Sequence, residues 1–238
     1  MKQNFFYIPL NRRELLLGWL YLIFHIFALP GLVRAVCALL APQWDLAERN
    51  IVCFILGFCA TVGIFADFLR RTWDELPERL KGILWKAVLA AVLCKVVTTV
   101  MNDFFFFFLP EFFNLTDTGP VLLNPNDNLI HQFLTQHYGL MMLCTVFLVP
   151  VSEELLYRGT VFGSLYQVNP WLGWIVSALL FAVVHVAGYY GQVEPIYFLI
   201  LFLQYIPASL FLNWLYVSTD SIFAPILMHI LFNAMGFF

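Results

Sequence analysis

Long apolar segments separated by short polar ones make up almost the whole chain. A helix needs about 20 apolar residues to cross the hydrocarbon core of a bilayer, and most of these segments reach or approach that length. They predict an all-α fold, a polytopic bundle of about seven to eight transmembrane helices without a separate soluble domain. The predicted spans are residues 15–40, 51–69, 82–109, 130–168, 171–187, 195–217 and 221–238.

Proline interrupts two of these spans. It lacks a backbone N–H, and its ring clashes with the carbonyl four residues earlier, so it kinks or breaks a helix. We expect a kink at Pro30-Gly31 in the first span. Pro150 makes residues 130–168 either one long helix or a broken pair, and a tight turn should follow at Asn169.

Charge is scarce and unevenly placed. Charged residues form 11% of the chain, whereas a soluble domain carries about a quarter. Basic residues cluster before the first span and between the second and third, so the positive-inside rule places the N-terminus in the cytoplasm. We expect one integral membrane domain overall, in which residues 1–129 form N-terminal transmembrane helices and residues 130–238 form a catalytic core.

Two adjacent carboxylates and an arginine stand within this apolar chain. An ionisable side chain at membrane depth is costly and is a functional hypothesis by default. Glu154 and Arg158 are four residues apart with the acid first, which favours an ion pair along one helix. Glu153 is rotated by about 100° from Glu154, toward Tyr157, and is left for general-base chemistry. Alternatively, all three charges form a buried structural network.

A histidine in the following span can reach the same place. Glu153 lies 16 residues before Asn169, and His185 lies 16 residues after it. Two antiparallel helices that leave one turn place such residues at equal depth, about 20 Å from the turn. His185 and Glu153 are therefore predicted neighbours, if the rotation of the helices permits.

The last span carries a second polar pair. His229 and Asn233 are four residues apart and share one face of a helix. Counted from Ser221, His229 is only about 12 Å deep, which does not match the depth of His185. The other histidines have no acidic neighbour at helical spacing and are interpreted as structural or interfacial: His25, His131 and His137.

Three motifs in order carry a family resemblance. They are Glu153-Glu154-x-x-x-Arg158, Phe181-x-x-x-His185 and His229-x-x-x-Asn233. The chain thereby resembles the CPBP family of intramembrane proteases, also called the CAAX-protease and bacteriocin-processing or Abi family, to which the type II CAAX prenyl endopeptidase belongs. The motifs cover about residues 145–238, and the first three spans carry no motif of the family.

The resemblance implies hydrolysis of a peptide bond within or at the edge of the membrane. Glu153 would activate water, and His185 would orient it. His229 and Asn233 would stabilise the oxyanion as neutral donors. The residues that would support this site are Glu154, Arg158, Tyr157 and Phe181.

The cofactor stays open at this point. The family is commonly called a metalloprotease, and two histidines with a carboxylate can bind zinc with an open position. The candidate zinc ligands are Glu153, His185 and His229. No His-Glu-x-x-His motif is present, and asparagine is a poor zinc ligand, which favours a glutamate-type, metal-independent protease.

Two other classes of function remain. A non-catalytic membrane scaffold or a bacteriocin self-immunity protein could keep the same residues for structure. A transporter would show paired inverted repeats and matched broken helices, which the sequence lacks. For the protease we expect membrane lipid and a membrane-associated peptide or protein substrate as partners, no nucleic acid, and a location in the bacterial cytoplasmic membrane.

Overall fold

A computed structural model describes residue 6, residues 8–108 and residues 137–236. The predicted loop at 110–129 and His131 lie outside the described residues. Every regular element within the described ranges is helical. The helices are α1 (Arg12–Phe27), α2 (Leu29–Leu40), α3 (Leu46–Ile64), α4 (Ala66–Asp74), α5 (Leu76–Asp103), α6 (His137–Val168), α7 (Pro170–Val186), α8 (Pro195–Thr219) and α9 (Phe223–Ala234).

The lengths and surfaces of the helices are those of a membrane protein. Among the described residues, the helices α3, α5, α6, α7 and α8 are each long and apolar enough to cross a bilayer, and α1 and α2 form a bent pair that passes the same test. The outer face of α5 exposes apolar side chains at successive turns, which suits a lipid surface and not water. They include Leu84, Val88 and Val92. The predicted all-α polytopic bundle is confirmed.

The bend in the first span lies two residues before its expected place. The chain turns by 56° between α1 and α2, at Ala28, and not at Pro30-Gly31. Pro30 is the second residue of α2, a position at which its missing N–H has no helical partner to lose. The helix breaks before Pro30 because the proline ring would clash with the carbonyl of Ile26, four residues earlier.

Pro150 does not break α6. The helix runs continuously from residue 137 to residue 168, so the long-helix alternative is confirmed. It accommodates the proline through wider, π-helical turns at Cys144–Leu148 and Leu155–Phe162, which flank an α-helical turn at Val149–Glu154. The two carboxylates end that short turn, and π-helical turns of this kind occur often at functional sites.

The two predicted halves of the chain share one apolar core. Phe65 and Phe68 from the N-terminal half are completely buried in the same cluster as Leu156 and Phe162 of α6. The main buried cluster of the described residues therefore contains side chains from both halves of the chain.

The turn between α8 and α9 is fastened to α5. Arg79 donates to the carboxylate of Asp220 at 2.9 Å, and the ammonium of Lys86 donates to the carbonyl of Ser218 at 2.7 Å. Asp220 itself has a left-handed backbone with φ of 50°, which reverses the chain within a few residues. These bonds fix the point at which α9, and with it His229, starts its course through the bundle.

Close packing at Gly173 holds α7 against the end of α6. A Cβ added to Gly173 would lie 2.9 Å from both the Cα and the backbone nitrogen of Tyr166. Because backbone atoms cannot rotate away, Gly173→Ala should lower the free energy of unfolding by about 1–3 kcal/mol. Gly82→Ala is the matched control, since a Cβ there meets nothing within 4 Å and alanine is the better helix former. Unfolding in mixed micelles, followed by tryptophan fluorescence, measures both, and equal free energies would contradict the packing argument.

Candidate active site

A buried ion pair lies next to the predicted base in the sequence and supports the candidate site. Glu154 and Arg158 are completely buried, and the guanidinium donates to Oε1 of Glu154 at 3.1 Å. The guanidinium also donates to the hydroxyl of Ser209 on α8 at 2.9 Å, and it lies 4.5 Å from the ring centre of Phe181 on α7. The predicted pairing along α6 is present, and the arginine additionally ties three helices together.

His229 shares the carboxylate of Glu154. Its Nδ1 lies 2.8 Å from Oε1 of Glu154, and its Nε2 lies 3.9 Å from Oε2 of Glu153. With the carboxylate ionised beside Arg158, the hydrogen of this bond belongs to Nδ1 of His229. His229 therefore reaches the same pair of carboxylates as His185, although helical rise counted from Ser221 predicted a shallower position for it.

His185 approaches Glu153 from the other helix. Its Nδ1 lies 2.8 Å from the carbonyl of Phe181, and since a carbonyl can only accept, Nδ1 carries the hydrogen. Its Nε2 is then bare in the neutral ring and lies 3.8 Å from Oε2 of Glu153. The ring is held between Phe181 and Tyr205, whose ring centres are 4.4 and 4.5 Å away. The equal depth predicted from the turn at Asn169 agrees with this contact.

Glu153 faces these two imidazoles with a buried oxygen that lacks a partner. Among the described residues, Oε2 of Glu153 accepts no hydrogen bond. The distances of 3.8 and 3.9 Å to His185 and His229 exceed a direct hydrogen bond by about 1 Å. An ionised carboxylate and two bare ring nitrogens are all acceptors, so each gap fits a water molecule that donates to both sides.

Asn233 anchors α9 to the π-helical turn of α6. Its amide nitrogen donates to the carbonyl of Thr145 at 2.9 Å. In that turn the N–H of Val149 bonds to the carbonyl of Cys144, five residues earlier. The same spacing would pair Thr145 with the nitrogen of Pro150, which has no hydrogen. The carbonyl that Pro150 leaves open is thus satisfied by Asn233, which fixes the face that α9 presents to α6.

The three candidate zinc ligands are spaced more widely than the ligands of a bound zinc ion. Their ring tautomers would suit a metal, because zinc-bound histidines donate their other N–H to a carboxylate or a carbonyl. The donor atoms of Glu153, His185 and His229, however, do not all lie within 4.8 Å of one another. A tetrahedral zinc with bonds of about 2.1 Å needs ligand atoms roughly 3.4 Å apart.

One group of side chains in the described ranges does have all its possible ligand atoms within 4.8 Å of one another, and it lies where α3 and α6 begin. It consists of Asp45, Glu48 and His137. The two carboxylates already form a reciprocal cap at the start of α3, with bonds of 2.8 Å in each direction. The backbone N–H of Glu48 and the nearby His137 lower the pKa of Asp45. Helix capping therefore accounts for this group, which holds none of the motif residues.

The supporting residues named from the sequence pack around the site. Tyr157 meets Phe181 edge to face, with ring centres 5.4 Å apart, and Phe181 also contacts the rings of both site histidines. These contacts leave the site apolar apart from its charged groups, and such surroundings strengthen every electrostatic interaction inside it.

Several residues at the site escaped the sequence analysis. Tyr205, Ser209 and Asn213 are spaced four apart in the otherwise apolar α8, so they share one face, and this spacing could have revealed them. Ser209 bonds to Arg158, and Tyr205 covers His185. His25 on α1 gave no such signal, although its ring packs between Tyr21 and Gly57 of α3.

Comparison with known proteins identifies the part of the chain that carries this geometry. Residues 135–235 match the family model described as type II CAAX prenyl endopeptidase Rce1-like. UPF0177 protein YxdF of Lactococcus lactis subsp. lactis (strain IL1403) is 30% identical over 89 residues, 37% of this chain and 44% of that protein. The chain thus matches less than half the length of that relative. No solved structure matches. The family resemblance that the three motifs predict is confirmed over residues 135–235, the Rce1-like part of the chain.

Proposed function

We propose that this protein is an intramembrane endopeptidase that activates water with a glutamate. The observation that carries the proposal is the arrangement around Glu153. Its unpartnered carboxylate oxygen lies 3.8 and 3.9 Å from Nε2 of His185 and His229. A water molecule held there has one strong base beside it and acceptors that orient its hydrogens.

In the proposed reaction, Glu153 removes a proton from this water while the water oxygen adds to the carbonyl carbon of the substrate. His185 accepts a hydrogen bond from the same water through its bare Nε2, because its Nδ1–H is engaged with the carbonyl of Phe181. The proton on Glu153 then passes to the leaving amine as the C–N bond breaks. A free carboxylate and a free amine result, and the base is restored.

The oxyanion of the intermediate needs donors. An amide nitrogen carries two hydrogens, so the bond from Asn233 to Thr145 leaves one for the substrate oxygen. A neutral His229 cannot donate through Nε2, because its hydrogen is on Nδ1 and faces Glu154. The neutral-donor role predicted for His229 would need the other tautomer, so the proposal assigns the bond to the oxyanion to Asn233.

The proposed substrate is a membrane-associated peptide or protein whose scissile bond reaches the depth of Glu153. We place the N-terminus in the cytoplasm, since basic residues precede the first span and Arg71 of the second basic segment pairs with Glu14 at the start of α1. We further propose a bacterial cytoplasmic membrane as the location, with lipid around the bundle. The prenylated C-terminal peptide named in the family description is the first substrate class to test.

The function is tested with purified protein in lipid nanodiscs. The probe is an internally quenched peptide with a farnesylated cysteine four residues from its C-terminus. The proposal expects a fluorescence increase and, by mass spectrometry, two fragments that together contain one added water. A panel of unprenylated transmembrane peptides distinguishes prenyl recognition from general intramembrane cleavage. If the folded protein hydrolyses none of these probes, the non-catalytic scaffold becomes the better hypothesis.

Metal removal should leave the activity intact. Because the proposed reaction uses the carboxylate of Glu153 as its base and no metal ion, dialysis against a chelator should change the cleavage rate by less than about twofold. Metal content is measured on the same samples by mass spectrometry. Loss of activity on chelation, followed by recovery with one equivalent of zinc, would show that the glutamate-type mechanism is wrong.

A further inference from the structure

His25 on α1 presents a buried polar atom that the described residues do not satisfy. Its Nδ1 is inaccessible to solvent and has no hydrogen-bond partner among them, and the same is true of Oε2 of Glu153. A buried polar atom without a partner costs about 1–3 kcal/mol, and in native proteins it is generally paired with protein or ordered water. α3, on which His25 packs at Gly57, lies against the Val149–Glu154 turn of α6 that carries Glu153, and α1 lies against the next turn of α6, so the two unpaired atoms belong to one region of the bundle.

The position of His25 is built into the packing of α1 on α3. A Cβ added to Gly57 would lie 3.2 Å from Cε1 and 3.6 Å from Nδ1 of His25, so the ring occupies the space that a side chain would take. Tyr21, one turn earlier on α1, donates to the carbonyl of Gly57 at 3.3 Å and packs on the histidine ring, with centres 5.7 Å apart. The imidazole is therefore held in place and is not a mobile surface group.

We propose that His25 is a third imidazole of the active site and that its Nδ1 and the carboxylate of Glu153 hold a water molecule between them. This proposal rests on the proposed function and adds a residue from the N-terminal helices, which carry no motif of the family. Water is the ligand that fits, because it donates to the carboxylate and can both donate to and accept from a ring nitrogen. The neighbouring carboxylate of Glu154 cannot take the place of this water, because it is already bound by Arg158 and His229.

His25 acts as a positioning residue in this scheme. Through the shared water it orients the carboxylate of Glu153 toward His185 and His229, and it keeps a second water next to the one consumed in each turnover. The substrate makes no contact with His25, so its loss should lower kcat and leave KM nearly unchanged.

A spectroscopic experiment tests the contact without any substrate. The full-length protein, labelled with 15N-histidine in nanodiscs, is compared with its Glu153→Gln variant by solid-state NMR. The ring signals of His25, assigned through His25→Asn, should shift when the charge of Glu153 is removed. Those of His137 should not, because that residue pairs with Asp45 at the start of α6, 16 residues before Glu153. Unchanged His25 signals would overturn the proposal whatever the protein cleaves.

Kinetics with the farnesylated probe tests the role. His25→Phe should lower kcat by about tenfold or more, whereas His25→Asn, whose amide replaces Nδ1, should restore most of it. Gly57→Ala leaves the imidazole chemically intact but displaces it, and it should give an intermediate kcat if His25→Phe does not fold. His137→Phe serves as the control and should retain the rate of the unmodified protein.

The outcomes separate the two proposals. Equal kcat values for the His25 variants and the unmodified protein, or equal losses for His25→Asn and His25→Phe, would reduce His25 to a packing residue. If the unmodified protein cleaves no probe, the proposed function fails, and the NMR comparison alone decides whether His25 and Glu153 share their water.

Discussion

Replacing Glu153 by Gln should lower the rate of peptide cleavage by about 10²–10⁴-fold while the helix bundle stays folded. Glutamine keeps the size of the side chain but cannot take a proton from water. The substitution also removes a charge from membrane depth, so it should not destabilise the protein. A large fall in kcat at an unchanged unfolding midpoint is therefore the signature of a general base, as opposed to a structural carboxylate.

The measurement compares kcat and KM on the quenched probe with the unfolding midpoint of each variant. Lys95→Met is the matched control, because it also removes a charge from a membrane-spanning helix. The Lys95 ammonium lies 5.7 Å from the ring centre of Phe232 and is not one of the groups proposed to act on water. Its variant should cleave within about threefold of the unmodified protein. A folded Glu153→Gln protein with full activity would favour the scaffold hypothesis.

The polar spacing along the chain was enough to predict the centre of the site. The four-residue step from Glu154 to Arg158 is a property of one helix, so sequence alone fixes that pair. The meeting of Glu153 with His185 depends only on two antiparallel helices of equal rise from one turn. Both predictions use local geometry, which membrane helices keep because their backbone must satisfy its own hydrogen bonds.

The features that sequence could not provide arise between helices. The shared use of Glu154 by Arg158 and His229 depends on where α9 starts, which the bonds of Arg79 and Lys86 to the preceding turn decide. The hydrogen bond from Asn233 to Thr145 requires a π-helical turn, and no spacing of residues in the sequence predicts such a turn. The role proposed for His25 depends on the packing of α1 on α3, which the periodicity of the sequence does not predict.

The difference between local geometry and contacts between helices also explains why the bend in the first span was misplaced and the effect of Pro150 stayed open. The bend at Ala28 follows from the clash of the Pro30 ring with a carbonyl on the preceding turn, and not from flexibility at the proline itself. The motif at Pro150 was ambiguous for a related reason. A proline can break a helix or widen it, and the choice depends on whether another helix satisfies the freed carbonyl, as Asn233 does here.

Replacing Arg158 by Met should lower the free energy of unfolding by about 3–5 kcal/mol, the largest stability loss that we expect from a single side chain here. The side chain is completely buried, and its removal leaves the carboxylate of Glu154 buried without its cation. It also removes the donor to Ser209 on α8. Activity should fall with stability, because His229 depends on the same carboxylate for its orientation.

A double variant separates the loss of the pair from the loss of packing. Glu154→Gln combined with Arg158→Met leaves no unpaired charge, and the glutamine oxygen can still accept the hydrogen of His229. It should therefore be more stable than Arg158→Met alone by at least about 1 kcal/mol, as judged by unfolding in mixed micelles. Arg34→Met, at an exposed arginine that donates to the carbonyl of Pro30, is the control and should cost about 1 kcal/mol or less. If the double variant is no more stable than Arg158→Met, the arginine stabilises the bundle through its packing on Phe181 and not through its charge.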